Sequence, residues 1–289
     1  MMFTSRPTVL VQGITGRHGS LHTASMLQYG TNIVAGTSLN TETPTVSGVP
    51  VFATVDAAKE HFPTLNTSVI FVPAQYCKDA ILEAILAGIT YIVCITEGIP
   101  IHDMLEIKET ANNQGVTIIG PNCPGIALPH LKTILGIIPE SVLLAGNAAL
   151  ISTSGTLTYE VASNMKLHGI GQRIVVGIGG DPIKGTNFQK AIQSLANDSS
   201  ISAIILIGEI GGNDEYLAAD YIESHKESLP PLFGYITGHR APIGVQLGHA
   251  GAILKRPSES ARAKSDRLTQ AGVTMSETLP ELIKKLLKN

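Results

Sequence analysis

The stretch PTVLVQGITGRHG, residues 7–19, reads as a short apolar strand running into a glycine-punctuated turn. Pro7 to Gln12 supplies the strand. Gly13, Gly16 and Gly19 mark the turn, and helical spacing follows through Met26 and Leu27. The same unit recurs with NIVAGT (32–37), TSVIFVP (67–73) before a helix at Ile81–Ala87, TYIVCIT (90–96) before one at Met104–Ala111, and VTIIGP (116–121). These strands are apolar throughout rather than alternating, the pattern of a parallel sheet covered on both faces. Residues 1–122 therefore read as a doubly wound α/β domain.

PNCPG (121–125) is a rigid punctuation mark, and the segment 123–147 reads as a connector. A second alternating set fills 148–289. Its strands are AALISTS (148–154), RIVVGIGG (173–180), SAIILIGEIGG (202–212), PLFGYITG (231–238) and VTMSE (273–277), with a terminal helix at Leu279–Leu287. It too reads as an open parallel α/β sheet.

Sites on such sheets lie where strands end and helices begin, because free N–H groups of helix N-termini collect there. The second half is rich in small residues at those points: STSGT (152–156), GIGGDP (177–182), GEIGG (208–212) and GHAGA (248–252). Together they predict backbone amides converging on an anion.

Several functions are disfavoured. The chain of 289 residues carries 44% hydrophobic and 15% charged residues and a net charge of −3, which suits a well-buried protein without a general nucleic-acid surface. No apolar run reaches membrane-spanning length, and the start MMFTSRPTVLVQG lacks the parts of a signal peptide, so a cytoplasmic location is expected. Cys77, Cys94 and Cys123 form neither a disulfide framework nor a CxxC metal pair, and no metal site is expected. A dinucleotide site wants an acid about 20 positions beyond its glycine turn. Here the second strand ends Ala35-Gly36-Thr37-Ser38, which disfavours NAD but leaves phosphate binding open. In the nearest approach to a P-loop, 180–186, Lys184 precedes the final glycine, so a nucleoside triphosphate would be held by another chain.

Two side chains combine into chemistry. Glu209 ends an apolar strand between glycines, where a carboxylate is costly unless paired. His249 follows the next strand, so both reach one sheet edge. A carboxylate fixing one imidazole nitrogen leaves the other free as a nucleophile. An ordinary Glu–His hydrogen bond is the plainer alternative, and Tyr159 in SGTLTYE reads equally as helix-start core.

VQGITGRHG, VPAQYCKDAILEAILAGI, ITEGIP, IGPNCPG, SGTLTYE, VGIGGDPI, IGEIGG and GHAGAI occur in order along nearly the whole chain. In these segments the chain resembles the α subunits of succinyl-CoA synthetases (succinate–CoA ligases). The resemblance implies an N-terminal Rossmann-like CoA-binding domain and a C-terminal flavodoxin-like ligase domain. It implies a heterodimer or heterotetramer with an ATP-grasp β subunit that holds NTP and Mg2+, and a small carboxylic acid as substrate. Carried over by motif, His249 is the phosphorylated histidine and Glu209 its partner. Thr15, Gly16, Arg17, His18, Ile95, Thr96 and Glu97 belong to the CoA site. Tyr159 contacts the acid, and Ser154 and Gly155 open the helix that faces phosphate.

The chain also departs from the family's pattern. Leu39-Asn40-Thr41-Glu42-Thr43 stands where a P-G-K-G-G loop brings lysine to CoA, with Thr41 nearest that place. Thr153 replaces an arginine, Ile243-Gly244-Val245 replaces basic residues, and Lys255-Arg256-Pro257-Ser258-Glu259 replaces G-G-K-G. These changes raise a second reading, a regulatory paralogue that binds CoA or acyl-CoA with little turnover. The intact GHAGA and GEIGG segments weigh against it.

Overall fold

The computed structural model describes residues 3, 5–39 and 43–288. The first half runs β1 (Val9–Gln12), α1 (Arg17–Tyr29), β2 (Ile33–Thr37), β3 (Thr45–Val46), β4 (Val49–Phe52), α2 (Val55–His61), β5 (Thr67–Ile70), α3 (Ala74–Leu86), β6 (Tyr91–Cys94), α4 (Ile101–Gln114) and β7 (Thr117–Ile119). The sheet order is β3-β4-β2-β1-β5-β6-β7. Its parallel strands β4-β2-β1-β5-β6-β7 thus stand in the order of a dinucleotide-type doubly wound sheet, and the order reverses between β1 and β5. The crevice at that reversal lies beside the glycine turn after β1. A β-carbon on Gly19 would meet the Gly13 carbonyl oxygen at 2.1 Å, so α1 can dock this close only on a glycine.

The sequence reading missed β3, β4 and α2. Ser47 (φ 51°) and Gly48 (φ 82°) make a two-residue hairpin turn with both central residues left-handed. Pro50 sits in β4 opposite Thr45 of the edge strand and reads locally as a breaker. The Thr54 hydroxyl caps α2 by accepting from Ala57 N at 3.2 Å.

The second half runs β8 (Gly125–Leu128), β9 (Thr133–Gly136), β10 (Ala145–Ser152), α5 (Gly155–Leu167), β11 (Gln172–Gly177), α6 (Phe188–Leu195), β12 (Ala203–Gly208), α7 (Asp214–Ser224), β13 (Leu232–Ile236), α8 (Ala261–Gln270), β14 (Thr274–Ser276) and α9 (Leu279–Leu286). Its sheet order is β14-β13-β12-β10-β11-β8-β9, so the parallel strands β11-β10-β12-β13-β14 follow the flavodoxin-like order and reverse between β10 and β12.

The sheets are parallel at their centres but mixed at their edges, since β3 pairs antiparallel with β4, and β8 with both β9 and β11. Much of the segment read as a connector is therefore strand. Its apolar residues Ile126, Leu128, Ile134 and Leu135 are buried, a separate strong reason for a chain to pair rather than cross open surface.

One apolar core runs through both halves, joining Val9, Val69 and Val93 of the first sheet to Ile126, Leu135 and Ile151 of the second. Burying each such side chain contributes about 1.5–3 kcal/mol. Every residue of β12 is buried, which holds the strand end that carries Glu209. Among the described residues no helix is long and apolar enough to cross a membrane.

Candidate active site

The four small-residue strand ends meet. Thr153 N after β10 donates to Ile207 O of β12 at 3.0 Å, and Ile178 N after β11 donates to Ser152 O at 2.8 Å. Gly251 N donates to Gly180 O at 3.2 Å, which brings the long loop after β13 across the loop after β11. On Gly211 a β-carbon would lie 2.2 Å from Gly251 O, so the loop carrying Glu209 also lies hard against the loop carrying His249.

At this junction His249 Nδ1 and Glu209 Oε2 are 2.6 Å apart. The Glu209 side chain is 10% exposed and the His249 side chain 27%. The hydrogen bond to Glu209 raises the His249 pKa above the ordinary histidine value. Burial opposes the shift, and the charges of Glu209, Glu97 and Asp181 add to it. Asp181 is itself buried and accepts from Asn122 Nδ2 at 2.9 Å.

His249 faces a cleft of about 260 Å³ whose wall includes Ile95, Glu97, Asn122, Cys123, Gly155, Thr156 and Tyr159. Helix α5 starts here. Ser154 Oγ caps it by accepting from Leu157 N at 3.3 Å, so Ser154 serves the helix, while Gly155 and Thr156, whose first-turn amides have no partner within the helix, line the cleft. The positive end of the α5 dipole adds attraction for an anion. Tyr159 is one turn further along the same helix face, and its OH reaches Ile137 O at 3.5 Å. Burial and the neighbouring Cys123 push its phenol up to about 12, so it remains a neutral donor.

The structure thus brings His249, Glu209, Ile95, Glu97, Gly155 and Tyr159 together. Thr15, Gly16, Arg17 and His18 lie outside this cleft, at the crevice of the first sheet. There Gly16 caps α1 without a side-chain hydrogen bond, Arg17 and His18 are exposed, and Thr15 Oγ1 pairs with Ser38 Oγ at 2.6 Å. The two places are linked through the chain. Gly13 packs on Val72, Thr96 Oγ1 donates to Val72 O at 2.7 Å, and Asn122 N donates to Thr96 O at 2.9 Å. Thr41 lies outside the described residues.

Of the departures, Thr153 is buried and ties β10 to β12, while Ile243 and Val245 are exposed. Glu259 Oε2 accepts from Lys255 N at 2.7 Å and Arg256 N at 3.2 Å, closing the segment that replaces the glycine loop. The sequence reading missed Gly180, Asn122 and Asp181, which sit inside quoted motifs but had no assigned role. It also missed Glu215 and Lys264, for which no local signal exists: the first resembles any acid in a helix first turn, the second any surface lysine.

Each half of the chain matches a known family. Residues 4–98 match the CoA binding domain family and residues 151–274 the CoA-ligase family. The succinate–CoA ligase (ADP-forming) subunit alpha 2 of Archaeoglobus fulgidus is 46% identical over 285 residues, covering 98% of each chain. The chain belongs to the succinate–CoA ligase α-subunit family. Another family member, the ADP-forming alpha subunit of Aquifex aeolicus, is 44% identical over 97% of this chain and 92% of its own. Among solved structures, ATP citrate lyase of Methanothrix soehngenii, in complex with citrate and coenzyme A, covers 100% of this chain with a TM-score of 0.88. This chain spans 50% of that one, and at 23% identity the likeness is one of fold. As a family member the chain is the α subunit of an acid–CoA ligase, and the regulatory reading is not favoured.

Proposed function

We propose that His249 is the phosphoryl carrier of a ligase that joins succinate, or a closely similar acid, to CoA at the expense of a nucleoside triphosphate. The observation that carries this is the 2.6 Å contact of His249 Nδ1 with Glu209, which leaves Nε2 as the nitrogen available to a phosphoryl group beside the α5 N-terminus.

Glu209 accepts a hydrogen bond from Nδ1–H throughout, so Nδ1 keeps its proton and the Nε2 lone pair attacks phosphorus. The N–P bond forms, the P–O bond to the nucleoside diphosphate breaks, and the positive charge developing on the ring is balanced by the carboxylate. The amides of Gly155 and Thr156 hold the phosphoryl oxygens, the preorganised electrostatics on which phosphoryl transfer depends. The phosphoryl group then passes to the acid's carboxylate oxygen, and His249 returns to the neutral ring. Tyr159 donates to that acid and orients it. CoA, when bound, supplies the thiol that takes the acyl group as phosphate leaves. The free first-turn amides of α1 and the exposed Arg17 fit its phosphates, and Ile95, Thr96 and Glu97 lead from that crevice toward the cleft. The nucleotide and its Mg2+ are assigned to an ATP-grasp β subunit, in keeping with the α-subunit names of the relatives.

The test uses the full chain with its partner chain and γ-labelled nucleoside triphosphate. Label is expected on this polypeptide, labile in acid and stable in base, and discharged by succinate with CoA. His249→Ala abolishes it, and the chain alone makes no acyl-CoA from nucleoside triphosphate. Label that persists in His249→Ala, or turnover by the single chain, overturns the reading.

A further inference from the structure

Glu209 stands at the start of a loop with little stiffness of its own. It is followed by Ile210 and then by Gly211 (φ 83°) and Gly212 (φ 62°), both in the left-handed region. Something must hold this backbone if the carboxylate is to meet His249 in one geometry.

What grips it is a buried ion pair behind the loop. Lys264, from α8, has a side chain 0% exposed, and Glu215, from α7, one 4% exposed, with Nζ and Oε2 at 2.5 Å. The remaining bonds of the pair go to the loop. Lys264 Nζ donates to Glu209 O at 2.8 Å and also to Gly211 O. Glu215 Oε1 accepts from Glu209 N at 3.2 Å. The peptide groups on both sides of the Glu209 α-carbon are therefore pinned, one by an anion and one by a cation. Gly208 makes room for this, since a β-carbon there would come within 2.5 Å of Glu215 Oε1. A buried pair is a poor way to gain stability, because desolvation offsets most of the attraction and an apolar pair of similar volume packs as well. Its value here lies in direction: the pair bonds backbone groups that an apolar pair would leave unheld.

We infer that Lys264 and Glu215 are positioning residues for the phosphoryl-transfer step, acting on His249 solely through the backbone of Glu209. Neither lines the cleft that His249 faces. The inference rests on the phosphoryl-carrier reading for its consequence, but the effect on the ring is measurable without it. The charged groups that face the ring are Glu209, Glu97 and Asp181, so a displaced Glu209 removes the strongest of the three influences.

The test is a titration of the full chain labelled with 13C-histidine, His249 being assigned among the nine histidines by its loss in His249→Gln. In the unaltered chain His249 should titrate above the ordinary histidine range. In Lys264→Met/Glu215→Gln, which removes both charges and keeps the volume, its midpoint should fall toward the ordinary value, as it does in Glu209→Gln, while thermal unfolding stays cooperative. Glu215→Gln alone is the milder variant and should move the midpoint in the same direction. With partner chain and labelled nucleotide, labelling of the pair variant should slow on the order of a hundredfold, the cost of a misplaced reacting group. Adding Glu209→Gln should cost nothing more, because all three act through one contact. A folded variant whose His249 titrates and labels normally overturns the inference, as do losses that multiply with Glu209→Gln. Absence of label in the unaltered chain would instead overturn the carrier reading and leave the titration result standing.

Discussion

The imidazole of His249 fills the space where Gly180 has no side chain: a β-carbon there would lie 2.3 Å from its Cγ and 2.6 Å from Nδ1. The ring is thus seated between the glycine and the Glu209 carboxylate, and the room for it is made by the loop after β11. Gly180→Ala should push the ring off Glu209 and slow phosphoryl labelling on the order of a hundredfold, with the fold retained. Labelling by γ-labelled nucleotide beside a thermal melt checks this. Unaltered labelling would mean that the ring works from another position.

The raised pKa of His249 sets a pH dependence. Below its folded-state value the ring is imidazolium and has no lone pair at Nε2, so the initial rate of phosphorylation should rise with pH through that value and then level off. Glu209→Gln removes the main cause of the elevation. Its profile should shift to lower pH and its plateau should drop. Quench-flow labelling across pH separates the two effects, and a profile that does not move would detach the titration from Glu209.

Tyr159, its phenol pushed up to about 12 by burial, keeps its proton and can donate it in a hydrogen bond. Tyr159→Phe should raise KM for the acid about tenfold to a hundredfold, the cost of one hydrogen bond to a charged carboxylate, while labelling from nucleotide is unchanged. Steady-state kinetics beside the labelling assay decide it. Slower labelling would place the phenol on the phosphoryl group instead of the acid.

CoA binding should depend on α1. Removing the cation in Arg17→Ala should weaken CoA by about tenfold or more, as for loss of a charge-assisted contact. Thr41→Lys, which restores the family's charge, should strengthen it by a similar factor. Calorimetric titration of the chain reads both directly, and no CoA binding in any form would remove the role assigned to the first domain.

Much of this was legible along the chain. Apolar strands without alternation read as parallel sheet, and glycine turns marked the strand ends where ligands bind. Glu209 and His249 each end or follow a strand of one sheet, so their meeting followed from topology. Less legible were the edges. Pro50 hid β4, and the buried apolar residues of 125–136 read as a connector because antiparallel edge strands need a partner before they look like strands.

What the sequence by itself determined was the pair of doubly wound sheets and the sheet edge at which Glu209 and His249 meet. Those signals are local and periodic, written into residues that follow one another. The tertiary structure alone decided the seat of the ring on Gly180, the grip of Lys264 and Glu215 on the Glu209 backbone, and the joining of Asn122 to Asp181. Each depends on what lies opposite a residue dozens of positions away in the chain. A lysine on a polar helix and a glycine in a turn carry no mark of that until packing brings their partners within reach.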